Sequence, residues 1–246
     1  MNWGGQVLGD EVTVADATGL VSDAVGVLVQ DSLDSLTDDD LVEMMREWES
    51  TRRRVASFEH KLIREVENRG LPEKAGAKRT SKYLEQTLRI GHADACARVR
   101  AAELLGLRQE AGRIVEPWLS WTAAFQEMGL VSADSARVIA KIVNRIPGKV
   151  NADTRDRAEF TLAHFAATST PDDLPKVGDR LLGYLDPDGR LTDDSDRQRR
   201  RGLTIGKQGV DGMSTMTAEL TPTPAGAAGP DRRQPGPTGH VQRRGC

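Results

Sequence analysis

The chain has 246 residues, a formal charge of -3, 38% hydrophobic and 4% aromatic residues, enough for one large domain or two small ones at about 100–200 residues each. So few aromatics, beside 29% charged residues, argue against a β-sandwich or barrel, whose strands draw on Val, Ile, Tyr, Phe and Trp. They suit helices built from Ala, Leu, Arg and Glu. The most apolar stretch, Leu20 to Val29, is broken by Ser22 and Asp23 and is shorter than the roughly 20 residues a bilayer requires. No basic residue precedes Arg46, unlike a secretory signal. Two cysteines, Cys96 and Cys246, make no disulfide framework. A cytoplasmic protein with no membrane segment is therefore expected.

Charge is arranged in blocks: -11 over residues 1–50, +6 over 51–110, -4 over 111–196 and +6 over 197–246. Such blocks can steer a polyanion to one face, and they can equally pair with one another.

In chain order, residues 1–16 lack periodicity and are expected to be a disordered leader. A short helix through Val21, Val25 and Leu28 follows. Thr37 then precedes Asp38, Asp39 and Asp40, a hydroxyl cap with carboxylates at the positive end of a helix dipole. From there Leu41, Met45, Trp48, Val55, Leu62 and Val66 recur at three, four or seven residues, with Phe58 beside the stripe and Arg52 in one seam position. This predicts one long amphipathic helix ending at Arg69-Gly70, with Pro72 beyond it. A basic loop spans Glu73 to Arg79. Thr80 and Ser81 can cap a short helix through Leu88, Gly91 breaks it, and Asp94 opens another with Cys96, Val99, Ala102 and Leu105 on one side. A third run goes from Pro117 through Trp118, Trp121, Phe125 and Met128 to Gly129. Ser132 caps a fourth, which Pro147-Gly148 stops. The fifth covers about 152–167 with Phe160, Ala163 and His164 inward, and Pro175 starts a further helix to Leu185. The sequence Asp186-Pro187-Asp188-Gly189 is a turn. Beyond it the period becomes alternating, and residues about 200–220 read as a β-hairpin around Gly209-Val210-Asp211-Gly212. Residues 221–246, rich in Pro, Gly and Arg, are expected to be a disordered tail.

The fold class expected is mainly α: six to seven helices in one helical domain over residues 17–220, with a C-terminal β-hairpin. Residues Thr80 to Leu105 read as a helix-turn-helix whose second helix carries Arg98 and Arg100. Major-groove recognition needs such a helix with donors near its start; the stretch fits an ordinary helical hairpin as well. With Arg52, Arg53, Lys78, Arg79 and Lys82 clustered around it, these residues form the candidate DNA-binding set. Arg52, Arg53 and Arg54 fan across roughly 200° of one helix turn, so they cannot all face one ligand. Arg197 to Arg201 can neutralise Asp193, Asp194 and Asp196 or bind phosphate.

Histidines 60, 92, 164 and 240 make no metal pattern with the cysteines, and His164 reads as a core residue. Cys96 reads as a small buried hydrophobe. The Gly70 to Thr80 stretch has the wrong spacing for a phosphate loop, and there is no nucleophile elbow. No catalytic residue, metal ligand or cofactor is assigned.

Several segments in fixed order nonetheless carry a resemblance. They are Tyr83-Leu84 with Ala97-Arg98-Val99-Arg100-Ala101-Ala102-Glu103-Leu104, Gly129-Leu130-Val131-Ser132 with Arg145-Ile146-Pro147, and Leu185-Asp186-Pro187-Asp188-Gly189. Arg199-Arg200-Arg201-Gly202-Leu203 and Asp211-Gly212-Met213 to Leu220-Thr221-Pro222 complete the series. Over about residues 35–222 the chain resembles the actinobacterial domain of unknown function 222, or thirteen-E-twelve repeat, family. The resemblance implies a helical domain that precedes an HNH endonuclease module, in which a divalent metal held by His and Asn residues assists phosphodiester hydrolysis. After Pro222 this chain has no Cys pair and no His-Asn-His set, so it reads as a truncated or frameshifted relative. The expected function is that of a DNA-associated helical domain without the nuclease site. A protein-protein interaction or oligomerisation module is the alternative. No hydrolysis is expected from this chain alone. Supercoiled plasmid incubated with it and Mg²⁺ or Mn²⁺ should stay intact; nicking that is lost on alanine replacement of any His would contradict this.

Overall fold

The computed structural model describes residues 13–187, 198 and 201–220. The chain divides into two compact units, Met1–Glu47 and Trp48–Cys246. It is mainly α, with nine helices and four short strands among the described residues.

In the first unit, α1 spans Val14–Gln30. Its start is fixed by a capping box: the Thr13 hydroxyl accepts from Asp16 N at 3.2 Å while the Asp16 carboxylate accepts from Thr13 N at 3.0 Å. Two N-terminal backbone donors are satisfied in this way. The helix thus begins inside the stretch expected as leader, and residues 1–12 lie outside the described residues. No residue of α1 is buried. The long α2, Asp38–Asn68, begins with the same device, Thr37 and Asp40 exchanging bonds of 3.2 and 3.1 Å. The Thr37 hydroxyl, donating to Asp40 Oδ2 at 2.7 Å, and then the Thr37 N–H hold the Asp40 carboxyl below its ordinary range.

Beyond Trp48 the second unit adds α3 (Leu71–Lys74), α4 (Thr80–Leu88) and α5 (His92–Leu105), then the strands β1 (Arg108–Glu110) and β2 (Arg113–Val115). It continues with α6 (Ser120–Glu127), α7 (Ala133–Val143), α8 (Ala152–Ala166) and α9 (Leu174–Leu185), and ends in β3 (Gly202–Ile205) and β4 (Met216–Glu219). Both strand pairs are antiparallel hairpins, with Glu110 opposite Arg113 and Ile205 opposite Met216. Ser132 and Asn151 cap α7 and α8 through their side chains. By contrast, Thr80 and Ser81 do not cap α4: Arg79 holds the cap position, Thr80 begins the helix and Ser81 is buried. α5 starts at His92, with Gly91 as its cap.

The main core lies among α6 to α9. Val131, Ile139, Leu162, Ala163 and Leu174 are inaccessible to solvent, with Ile142, Ala166, Leu105 and Leu119 buried around them. A second cluster joins Ile63 of α2, Leu84 of α4, and Ala95 and Ala102 of α5. At about 1.5–3 kcal/mol for a fully buried Leu, Ile or Val, the first cluster dominates stability. The turn at Asp186, the Arg197–Arg201 run (bar Arg201) and the 221–246 tail lie wholly or partly outside the described residues.

Three further sequence expectations are corrected. The β1–β2 hairpin occupies residues that carried no strand signal, so the third helical run begins at Ser120 and not at Pro117. On α6 the buried side chains are Thr122 and Gln126, while Trp118, Trp121 and Met128 are exposed. On α8 only Ala163 of the three expected residues is inward, and Phe160 and His164 face solvent. The exposed rings still stack at their edges, Trp121 on Phe160 at 4.9 Å between centroids.

Gly129, between α6 and α7, is required twice over. Its φ is +79°, and an added Cβ would fall 2.2 Å from Ser50 Oγ and 2.9 Å from Ser50 O. Only a residue without a side chain lets α2 approach this turn. Gly129→Ala should therefore cost about 2 kcal/mol or more in urea denaturation; a loss under about 0.5 kcal/mol would show that α2 does not press on the turn.

Candidate functional site

From Trp48 onward α2 has two dissimilar faces. The face turned to the helical body is mostly polar. Arg53 donates to Leu130 O at 3.0 Å and pairs with Glu49 at 3.1 Å. Glu59 meets Arg98 of α5 at 2.5 Å, Lys61 meets Glu127 of α6 at 3.2 Å, and Arg64 donates to Leu107 O at 3.4 Å. The buried residues of α2 are His60 and Ile63 alone.

His60 is 5% exposed, and its Nε2 donates to Oε1 of the fully buried Gln126 at 3.0 Å. Burial lowers its pKa below 6.5, opposed by the Gln126 bond and the nearby Glu59 charge. Ser57 Oγ, His60 Nδ1 and Gln126 Nε2 are buried beside it with no hydrogen-bond partner among the described residues.

The opposite face, roughly 150° around the helix from His60 at 100° per residue, is apolar and open. Trp48, Thr51, Val55, Phe58 and Leu62 follow one another at three and four residues. Trp48 is 45%, Val55 51%, Phe58 38% and Leu62 50% exposed. Alternate spacings of three and four are the seam of a coiled coil. Phe58, expected beside the stripe, lies within it.

Four of the seven candidate DNA-binding residues are paired with carboxylates of their own chain. Arg52 pairs with Glu49 at 3.3 Å. Arg53 is turned to the α6–α7 turn, as above. Arg98 is held by Asp94 at 2.9 and 3.0 Å as well as by Glu59, which raises its pKa. Lys82 pairs with Glu85 at 2.9 Å, and Glu85 also meets His92 at 2.6 Å. Lys78, Arg79 and Arg100 are exposed. The exposed face of α5, where a recognition helix would carry donors, includes Asp94 and Glu103 beside Arg100.

Cys96 is buried, its Sγ 3.6 Å from His92 Nε2. Among the described residues no group of three His, Cys, Asp or Glu could hold a metal ion, and no helix is long and apolar enough to cross a membrane.

Sequence reasoning also missed Glu159. This carboxylate, 4% exposed on α8, accepts from both Thr122 N and Thr122 Oγ1 at 2.8 Å. It caps the first turn of α6 from another helix. Burial raises its pKa, the Thr122 bonds oppose that, and Asp156 adds to it. Its one local signal was a carboxylate flanked by Ala158 and Leu162.

A family model described as "Domain of unknown function (DUF222)" matches residues 42–232. The uncharacterized protein MT1160 of Mycobacterium tuberculosis (strain CDC 1551 / Oshkosh) is 37% identical over 214 residues, 87% of this chain and 50% of its own. The uncharacterized protein Rv1128c of strain H37Rv is likewise 37% identical over 214 residues, 47% of its length. For the uncharacterized protein Mb1179c of Mycobacterium bovis the figures are 34% over 191 residues, 77% of this chain and 41% of the relative. The chain spans about half the length of these curated relatives. No solved structure matches it.

The lowered pKa of His60 sets a pH dependence. The unfolded chain takes up a proton near pH 6.5 while the folded chain resists it, so stability falls as pH drops below about 6.5 until the folded histidine also protonates. Denaturant melts between pH 7.5 and 5.5 should show this slope, and His60→Gln should flatten it. An unchanged slope in the variant would mean that His60 is not held neutral.

Proposed function

The chain belongs to the DUF222 family, and we propose that its helical domain is a non-catalytic assembly module that pairs copies of the protein through the outer face of α2. The observation that carries this is the seam Trp48, Thr51, Val55, Phe58 and Leu62, with all five side chains exposed on a helix whose other face is already engaged. Each large apolar side chain moved from water into an interface is worth on the order of 1 kcal/mol, and knobs-into-holes packing rewards this spacing.

Two features favour assembly over direct DNA contact. Arg52, Arg53, Arg98 and Lys82 are all paired with carboxylates, which lowers the positive potential available to a phosphate backbone. The acidic residues on the open face of α5 would also repel it. The resemblance to proteins in which this domain precedes an HNH module supplies a use for assembly. Cutting both strands of a duplex takes two hydrolytic centres, and pairing two chains through a helical domain brings two such modules to one site. In that arrangement the helical half positions, and the chemistry belongs to the rest of the longer protein.

Sedimentation velocity on the full chain tests the proposal. The protein should run as a dimer at tens of micromolar, and Val55→Asp with Leu62→Asp should return it to monomer with its circular dichroism unchanged. A wild-type monomer at that concentration would refute the assembly role.

A further inference from the structure

The charges that flank the seam specify how two copies would lie, and the geometry points to a parallel, in-register pair of α2 helices. This rests on the assembly reading above and adds the orientation of the partner, a second copy of the chain.

The seam residues Trp48, Val55 and Leu62 occupy one set of core positions and Thr51 and Phe58 the other. Arg54 then stands just before Val55, and Glu59 just after Phe58, on opposite flanks. In a parallel coiled coil the flanking residue before one core position faces the residue five places later on the partner. Arg54 of each copy therefore faces Glu59 of the other, and the contact occurs twice by symmetry. Arg54 is exposed and makes no ion pair among the described residues. Glu59 already holds Arg98 of its own chain, but a carboxylate has about four acceptor directions and can bridge two guanidinium groups.

Antiparallel pairing loses this match. Two antiparallel registers keep four of the five seam residues covered. One sets Thr51 against Val55 and Trp48 against Phe58, and brings Arg54 onto Arg54 and Arg52 onto Arg52 of the partner, offset by Glu47 onto Lys61. The other sets Val55 against Phe58 and Thr51 against Leu62, and brings Arg54 onto Lys61, offset by Arg52 onto Glu59. In each antiparallel register like-charge contacts thus offset opposite-charge ones, whereas parallel pairing sets Glu47 on Arg52 and Arg54 on Glu59 with no like-charge contact.

The test uses the full chain carrying Cys96→Ala and Cys246→Ser, with Thr51→Cys as the single thiol. Parallel in-register pairing places the two Cα atoms at about 6 Å, inside disulfide range, so mild oxidation with diamide should convert the dimer to a covalent one on a non-reducing gel. Val55→Cys in a chain of different length, mixed with Thr51→Cys, should give no more mixed product than chance. A dimer by sedimentation that cross-links mainly as the Thr51–Val55 mixture overturns the orientation and leaves the assembly reading intact; a monomer overturns both. Arg54→Glu gives a readout independent of the cysteines. In the parallel pair it faces Glu59 and should weaken the dimer several-fold, whereas tighter association would overturn the parallel arrangement.

Discussion

The α2 helix carries more apolar surface than its own chain covers. From Trp48 to Asn68 it meets the helical body through Ile63, His60 and a row of polar links to α5, α6 and the turn at Gly129. Its Trp48–Leu62 seam faces outward. The polar links set which face turns inward: Arg53 must reach Leu130 O, and His60 must reach Gln126. Rotating the helix to bury the seam would leave Gln126 Oε1 without its partner and part Glu59 from Arg98. A buried polar group stripped of its partner costs about 1–3 kcal/mol, comparable with what each apolar residue gains on burial. The outward seam is thus the consequence of the inward polar face.

The same use of polar pairs inside the body explains where α6 sits. Thr122 and Gln126 are its two buried residues, and each is bonded to a residue on another helix, Glu159 and His60. Truncating one member leaves the other buried and unpaired, so these pairs act less as a source of net stability than as a constraint on register. Glu159 and His60 carry opposite pH signatures. The histidine weakens the fold as pH falls below about 6.5, while the glutamate, its pKa raised by burial, contributes in the reverse sense nearer 4.5.

Where local rules decide the structure, the sequence was readable. Thr37 and Ser132 start their helices with their own side chains, and Gly129 and Pro147 stand where helices stop. The hairpin from Leu203 to Glu219 followed from alternation and glycine. Other features depend on partners far along the chain and were hidden. Periodicity put Trp121, Phe160 and His164 inward, because an apolar ring counts as core until a distant carboxylate buries Thr122 in its place. The β1–β2 hairpin turns at Ala111-Gly112, with φ of +49° and +77°; Gly is a signal for such a turn and Ala is not. Four of the seven basic residues singled out for DNA were legible as charges, but their pairing with Glu49, Glu59, Glu85 and Asp94 was not. Of the seam, Trp48, Val55 and Leu62 were legible as spacing, whereas Phe58 was read beside the stripe and Arg52 was read in a seam position in place of Thr51. What the sequence could not say is that the seam faces out.

One surface thus links fold and function: the apolar face of a helix whose other side is tied down by polar contacts. If that face is covered in solution by another copy, folding and association share free energy, and stability must depend on concentration. Thermal unfolding of the full chain across a hundredfold range of protein concentration tests this most directly. The account predicts a melting temperature that climbs steadily with concentration. A melting temperature that stays constant over the whole range would mean that the seam remains in water, and would contradict it.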